Sequence, residues 1–118
     1  MIFHITTSET WQEAQINQEY RVNSLEQEGF IHCSTQEQVL TVANTFYTDY
    51  EQLIVLAINP NKLLAEVKWE SPVHPNTKID HNIDDSQKFP HIYGAIDLDA
   101  VEKVIHLCKS SQGLFDNF

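Results

Sequence analysis

The longest apolar run in the chain, LIVLAI at residues 53–58, is the feature that most constrains the fold. A run this short cannot cross a bilayer, so it has to be buried within a folded domain. Its β-branched residues, and the Asn59-Pro60 pair that stops it, predict a buried strand over residues 52–60. We therefore expect a soluble protein that makes no membrane contact.

Strand-like and helix-like segments follow one another without the regular alternation of a doubly wound sheet. The strongest helical pattern begins at Ser34 or Thr35, as a capping residue, and continues through Phe46. A shorter helix is expected over residues 9–18, whereas residues 99–109 fit either a helix or a strand. Further strands are expected over residues 1–7, 30–34, 63–70 and 91–96. This order predicts an α+β fold with two or three helices.

The chain length of 118 residues corresponds to a single domain, residues 1–118. The tail at residues 110–118 is expected to fray. Residues 71–88 are polar, with two prolines and many turn formers, and they predict a long loop. His74 and His81 lie in this loop beside acidic residues and are expected to be solvated.

The charge balance limits the classes of partner. The chain has 7 Lys and Arg residues against 17 Asp and Glu residues, which gives a formal charge of −10. Such a charge opposes contact with phosphate backbones, so no nucleic-acid partner is expected. Arg21 is the sole arginine, which excludes a clamp of several arginines. Cys33 and Cys108 follow no secretory segment, and we expect free thiols in the cytoplasm.

The stretch EGFIHCST, at residues 28–35, places a histidine next to a cysteine. Successive side chains of a strand point to opposite faces, so His32 and Ser34 share one face and Cys33 lies on the other. The adjacent histidine and cysteine therefore cannot serve one metal ion or one substrate without a bulge. Cys33 is expected to be buried and structural, because a free cysteine packs like a small hydrophobe.

A polar cleft is predicted where three strand-like segments come together. Two pairs of polar residues each share a strand face, and FPHIYG at residues 89–94 adds a third histidine and a tyrosine. The predicted helix start would add free backbone N–H groups, which favour small anionic ligands. The residues expected to line this cleft are His4, Thr6, His32, Ser34, Thr35, His91 and Tyr93.

Three interpretations of the strand histidines remain open at this point. Each could be an ordinary hydrogen-bonded core residue, which is the commoner role of a histidine on a half-buried strand. His4, His32 and His91 could instead form one polar site, with Glu70 as the carboxylate best placed for acid–base work. They could also bind zinc through three nitrogens, but no H-x-H or H-E-x-x-H spacing occurs and zinc is not expected.

Five motifs follow one another over residues 2–108 at distances that match a known family: IFHITT, EGFIHCST, LIVLAINPNKL, VKWE and FPHIYGAIDLDAV. In this order they resemble the bacterial domain-of-unknown-function family nine-five-two. The resemblance implies a fold similar to that of the ADP-ribosyltransferases. That fold is a split, mostly antiparallel β-sheet core around a cleft that holds NAD in the active relatives.

The resemblance also implies roles for individual residues. In such enzymes a histidine on an early strand binds the adenosine ribose, an aromatic side chain stacks on the nicotinamide, and a glutamate polarises the nicotinamide ribose. His4 or His32 would take the first role, Tyr93 or Phe46 the second, and Glu70 the third. The expected catalytic residues are His32, His91 and Glu70, and the expected ligand contacts are His4, Thr6, Ser34, Thr35 and Tyr93.

The predicted function is therefore that of a cytoplasmic protein with a histidine-lined cleft, which binds NAD or a related nucleotide and acts as an ADP-ribosyltransferase-like transferase. Pyrophosphate binding would rely on backbone N–H groups near Ser34 and Thr35, because the chain is acidic. Two alternatives are a non-catalytic ligand-binding or regulatory module on the same fold, and a metal-dependent enzyme with a three-histidine site. The RNA phosphotransferase relatives use several arginines, so that chemistry is not expected here.

Overall fold

The computed structural model describes residues 1–71 and 87–118 of the chain. The predicted solvation of His74 and His81, and most of the predicted long loop, lie outside the described residues. Eight strands and three α-helices are formed in the described part. In chain order they are β1 (Ile2–Thr6), α1 (Ser8–Asn17), β2 (Glu19–Tyr20), α2 (Asn23–Gln27), β3 (Ile31–His32), α3 (Val39–Phe46), β4 (Gln52–Ile58), β5 (Glu66–Glu70), β6 (Phe89–Tyr93), β7 (Ile96–Asp97) and β8 (Val101–Cys108).

The strand β4 lies at the centre of the first sheet, whose order is β1-β4-β8. Every residue of β4 except Gln52 is buried. A continuous apolar run suits a strand that is covered on both faces and hydrogen-bonded along both edges. The buried strand predicted from LIVLAI is confirmed.

The second sheet has the order β3-β6-β5, and β2 pairs separately with β7. Every strand pair in the described ranges is antiparallel. β5 lies at the edge of its sheet, within the strand predicted over residues 63–70. The predicted α+β class, with mostly antiparallel sheets and three helices, is confirmed. None of the described helices is long and apolar enough to span a membrane.

A first core cluster joins the two sheets. Ile2 of β1 and Leu56 of β4 pack in it together with Ile31 of β3 and Ile92 of β6. Because strand side chains alternate, His4 and Thr6 of β1 point to the same side as Ile2. The cleft described below thus continues the apolar layer between the sheets, and its polar residues are buried by the same packing.

A second core cluster lies on the opposite face of the first sheet, beneath α3 and the C-terminal tail. Phe115 of the tail is 1% exposed. The Asn44 side chain on α3 donates to the Phe115 carbonyl at 2.8 Å and accepts from its N–H at 2.9 Å. The predicted fraying of residues 110–118 is therefore wrong, because a buried aromatic ring and two hydrogen bonds hold the tail.

The segment at residues 99–109, which fitted either a helix or a strand, contains the strand β8. β8 pairs with β4 from Gln52 to Ile58. A helix there would leave the N–H and C=O groups along one edge of β4 without partners, at a large cost in free energy. Residues 101–108 therefore form a strand, because β4 needs hydrogen-bond partners along its second edge.

The two longer helices begin in different ways. α1 is capped by Thr7, whose hydroxyl accepts from the Thr10 N–H at 3.2 Å. α3 begins only at Val39, so the predicted start at Thr35 or at the residue before it is wrong. The Gln38 side chain accepts from the Thr35 N–H at 2.9 Å, and the Gln38 N–H donates to the Thr35 carbonyl at 3.1 Å. These bonds close a turn that separates Thr35 from the helix.

Candidate functional site

A cleft of about 670 Å³ lies where β1, β3 and β6 meet, and His4, His32 and His91 all line it. His32 and His91 are cross-strand partners, with ring centroids 5.4 Å apart. Thr6 and Ser34 line the same cleft. The structure thus brings five of the predicted site residues together, from strands that are far apart in sequence. Their roles remain predictions.

His4 is held by hydrogen bonds at both ring nitrogens. Its Nδ1 lies 2.6 Å from the His32 carbonyl oxygen, and its Nε2 lies 2.6 Å from the Tyr20 hydroxyl. Tyr20 is fully buried, and its hydroxyl oxygen lies 2.8 Å from Thr6 Oγ1. Burial lowers the pKa of His4 to about 4 and raises the pKa of Tyr20. His4 is therefore neutral at pH 7, with Nδ1–H donating to the carbonyl and Nε2 accepting from Tyr20.

His32 is paired with a carboxylate one helical turn earlier in sequence. Its Nε2 lies 2.7 Å from Glu28 Oε2. The His32 side chain is 38% exposed, whereas that of Glu28 is 20% exposed. The His4 bond to its backbone carbonyl fixes this strand position from the other side. His32 is thus the cleft histidine with the most solvent contact.

His91 belongs to a second, more buried pair. Its Nδ1–H donates to Glu70 Oε1 at 2.9 Å, and the Tyr93 hydroxyl donates to the same oxygen at 2.5 Å. The hydrogen bond from Tyr93, followed by that from His91, lowers the pKa of Glu70. The same bond raises the pKa of Tyr93 to about 12. Phe30 stacks on the His91 ring with centroids 4.1 Å apart, which fixes the ring plane.

Three predicted site residues do not line the cleft, namely Thr35, Glu70 and Tyr93. Glu70 and Tyr93 contact it indirectly, through His91. Thr35 borders a separate depression of about 260 Å³ beside Gln38. Glu70, which was predicted to act directly as the acid, is thus separated from the ligand space by His91.

The backbone N–H groups of Ser34 and Thr35, near which pyrophosphate binding was predicted, are both engaged within the protein. The Ser34 N–H donates to the Phe3 carbonyl at 2.7 Å, and the Thr35 N–H donates to Gln38. Both donors are therefore committed within the protein. Arg21, which also lines the cleft, is the remaining positively charged group on its wall.

Cys33 is buried and 3% exposed, and burial raises the pKa of its thiol. It packs in the first core cluster and also borders the cleft, so its predicted burial is confirmed, and its structural role stays a prediction. Cys33 and the exposed Cys108 form no disulfide.

The alternative of a three-histidine zinc site does not fit the geometry. Within residues 1–71 and 87–118, no three His, Cys, Asp or Glu side chains are placed to hold a metal ion. His4 uses both ring nitrogens in hydrogen bonds to the protein, so it has no lone pair to offer a metal. The three histidines are close, but their nitrogens do not converge.

Several residues in or beside the cleft were not predicted from sequence. Glu28 lines the cleft and pairs with His32, and Phe30 stacks on His91 from outside the lining. Aromatic side chains at the end of α3 and just after it form another wall; Phe46 was predicted as a stacking residue, whereas Tyr47 and Tyr50 were not. The sequence signal that could have identified Glu28 is its spacing of four residues from His32, which brings both to one side of the chain where it turns from α2 into β3.

A family model described as "Protein of unknown function (DUF952)" matches residues 5–104. The chain belongs to this family. The match runs from within β1 to the middle of β8, and it includes His32 and His91 but not His4. A search of curated proteins finds no match.

Solved structures of protein CC0527 from Caulobacter crescentus are similar to this chain. Its crystal structure and that of a double mutant each have a TM-score of 0.79 at 22% identity, covering 98% of this chain and 92% of that chain. Its solution NMR structure has a TM-score of 0.75 at 22% identity, covering 98% and 90%. At this identity the similarity establishes the shared fold.

Proposed function

We propose that the protein binds a nucleotide-like ligand, NAD, in the histidine-lined cleft and transfers its ADP-ribosyl group in the cytoplasm. The observation that carries this proposal is the convergence of His4, His32 and His91, from three strands, on one cleft. Its volume of about 670 Å³ is within the range of small-molecule sites, ~300–1,000 Å³. An ADP-ribosyltransferase-like fold is the part of the proposal that rests on sequence resemblance.

The walls of the cleft supply the contacts that such a ligand needs. The rings of Phe46 and Tyr50 are partly exposed, at 40% and 43%, and present flat surfaces on which a base can stack. Arg21 offers one positive charge to a pyrophosphate group. Ser34 and His32 offer polar atoms to the hydroxyl groups of a ribose.

The acidic character of the site suits the transition state of ADP-ribosyl transfer. When the nicotinamide–ribose bond breaks, its electron pair leaves with nicotinamide and positive charge develops on the sugar. A carboxylate beside that carbon stabilises the transition state more than the ground state, which is the condition for catalysis. Glu28 lines the cleft beside His32 and is placed to do this, while Glu70 acts from behind His91.

Titration with NAD and with ADP-ribose, followed by NMR of the histidine ring protons, tests the proposal. We expect shifts at His4, His32 and His91 and none at His106, which lies exposed on β8. Release of nicotinamide, followed by chromatography, reports turnover. The variant His106→Gln is the matched control and should behave as the wild type. If neither ligand shifts the cleft histidines, the proposal is wrong.

The second candidate is the non-catalytic ligand-binding module. The observation that favours it is that Glu70 does not line the cleft and that its carboxylate already accepts two hydrogen bonds within the protein. NAD binding without nicotinamide release, unchanged by Glu70→Gln, would decide for this module and against the transferase.

A further inference from the structure

His91 combines near-complete burial with a ring nitrogen that has no hydrogen-bond partner among the described residues. Its side chain is 1% exposed, yet it lines the cleft. Nδ1 is bonded to Glu70, whereas Nε2 makes no hydrogen bond to any residue in the ranges 1–71 and 87–118. A buried polar atom without a partner costs free energy, and such atoms are rare in folded proteins. Here the atom adjoins a cavity that can hold a ligand.

The other two cleft histidines differ from His91 in this respect. His4 has both nitrogens engaged, to the His32 carbonyl and to Tyr20. His32 is more than a third exposed, and its Nε2 is engaged by Glu28. His91 bonds through Nδ1 to Glu70, which does not line the cleft, and among the described residues its Nε2 has no partner, so Nε2 is the nitrogen left for a ligand on the cleft side.

The surroundings of His91 fix which of its nitrogens carries the proton. The lowered pKa of Glu70 keeps this carboxylate ionised at neutral pH, so it accepts from the imidazole and from Tyr93. The Nδ1–H tautomer is therefore stabilised, and Nε2 is left as a hydrogen-bond acceptor. The stacked Phe30 ring restrains rotation about the last side-chain bond. An imidazole held in this way by a carboxylate is the arrangement of a general base.

Ser34 adds to the same cleft a second buried polar atom that has no partner in the part of the chain that the structure describes. It is 4% exposed, and its hydroxyl makes no hydrogen bond to the residues described. Ser34 and His32 lie on the same side of the chain, and His32 pairs with His91. An acceptor nitrogen and a hydroxyl on one wall suit a ligand group that both donates and accepts, which is what a hydroxyl group or a water molecule does.

We infer that His91 is the general base of the cleft and that the acceptor it serves is a hydroxyl group, either water or an alcohol. This inference rests on the proposed function and deepens it by naming the class of acceptor. The acceptor oxygen forms a bond to the anomeric carbon of the ribose, and the carbon–nitrogen bond to nicotinamide breaks. The electron pair of that bond leaves with nicotinamide, and the acceptor proton moves to Nε2. The ionised Glu70 carboxylate, which accepts from Nδ1–H, stabilises the imidazolium by its negative charge.

Guanidinium and ammonium acceptors fit this site less well. Their protons are lost only at pH values far above those at which an imidazole acts as a base, so Nε2 cannot remove them efficiently. Glu70 and Tyr93 do not touch the ligand space, so we assign them as positioning residues that hold the tautomer and orientation of His91.

Two measurements test the inference. A long-range ¹H–¹⁵N correlation spectrum of the ligand-free protein should show His91 with a protonated Nδ1 and an unprotonated Nε2, and Glu70→Gln should shift the balance of tautomers. With saturating NAD, His91→Gln should lower the kcat of nicotinamide release ~100-fold or more, as for loss of a general base. Glu70→Gln should lower kcat by at least ~10-fold, as for loss of the residue that holds the tautomer of the base. In both variants the Kd for NAD should stay within ~2-fold, because the lost interaction acts in the transition state and not in the binding of NAD.

The controls separate this inference from the proposed function. His106→Gln should change neither the spectrum nor kcat. If His91→Gln does not fold, Glu70→Gln, at a partly exposed position, still decides through its effects on kcat and on the tautomer. A protonated Nε2 in the wild type, or an unchanged kcat in His91→Gln or Glu70→Gln, overturns the inference. If the wild type binds no NAD, the proposed function fails, and the spectrum alone decides whether Nε2 is presented to the cleft as an acceptor.

Discussion

The two ends of the cleft use buried histidines in opposite ways. At the β1 end, His4 joins the Tyr20 hydroxyl to the His32 carbonyl, and both of its nitrogens are committed. At the β6 end, His91 also lines the cleft, but it commits only Nδ1, to Glu70, and its Nε2 bonds to none of the described residues. Both side chains are almost fully buried, at 6% and 1% exposure. Burial by itself therefore does not distinguish a structural histidine from a reactive one. What distinguishes them is whether the second ring nitrogen is hydrogen-bonded to the protein.

This difference predicts where stability and where chemistry are sensitive to change. The β1 end is a closed hydrogen-bond chain, so changes there should lower the free energy of unfolding. At the β6 end, Glu70, which holds the engaged nitrogen of His91, is 38% exposed. A change at Glu70 should therefore affect turnover and leave the free energy of unfolding nearly unchanged.

The largest expected effect is the response of His4 to acid. Its pKa falls from 6.5 to about 4 on folding, so the unfolded chain binds the proton more tightly between these values. The stability contribution is complete above about pH 6.5 and is lost as the pH falls towards 4, by about 3 kcal/mol from a shift of this size. Urea unfolding at several pH values should show this loss in the wild type and a flatter profile in His4→Gln. An identical profile in both proteins would contradict the assignment of His4 as neutral and structural.

A smaller effect is expected for Tyr20→Phe. Removal of the hydroxyl leaves His4 Nε2 without its partner in a buried site and also breaks the contact with Thr6 Oγ1. We expect a loss of about 2 kcal/mol in the free energy of unfolding, measured by urea denaturation at pH 7. Tyr50→Phe is the matched control, since that ring is 43% exposed, and it should stay within ~0.5 kcal/mol of the wild type.

Thr6→Val should cost less again. The substitution keeps the shape of the side chain and removes only the end of the hydrogen-bond chain, so Tyr20 still bonds to His4. We expect a loss of about 1 kcal/mol. A double-mutant cycle with Tyr20→Phe should show that the two losses are not additive, because they remove the same contact. Additive losses would mean that Thr6 and Tyr20 are not coupled.

The smallest expected effect on stability is that of Glu70→Gln. The carboxylate is 38% exposed, and the glutamine amide can still bond both partners: its oxygen accepts from Tyr93, and its NH2 donates to Nδ1 of the other His91 tautomer. The urea midpoint at pH 7 should not change measurably. A large fall in the midpoint would show that the β6 end is also a structural chain, and the contrast between the two ends would be lost.

Much of the local structure could be predicted from the sequence. The burial of Cys33 in the core cluster, and the position of His32 and Ser34 at the cleft, could be predicted because side-chain alternation along extended backbone is a local property, although Cys33 also borders the cleft. The start of α3 could not be predicted in this way, since the Gln38 side chain closes a turn at Thr35 by the same bond that would form a capping box. The ordered tail was also missed, because Phe115 is held by Asn44, which lies 71 residues earlier.

The sequence by itself determined which segments are buried and which face of each strand is polar, because these depend on the period of the backbone and on the apolar residues within it. Only the tertiary structure decided which polar groups become partners. Glu70 meets His91 across 21 residues, and His4 meets the His32 carbonyl across 28. Such contacts depend on strand order and register, where a shift of one residue turns a side chain to the other face. Whether a histidine has both ring nitrogens engaged, as His4 does, or only one, as His91 does, is therefore a property of the assembled fold.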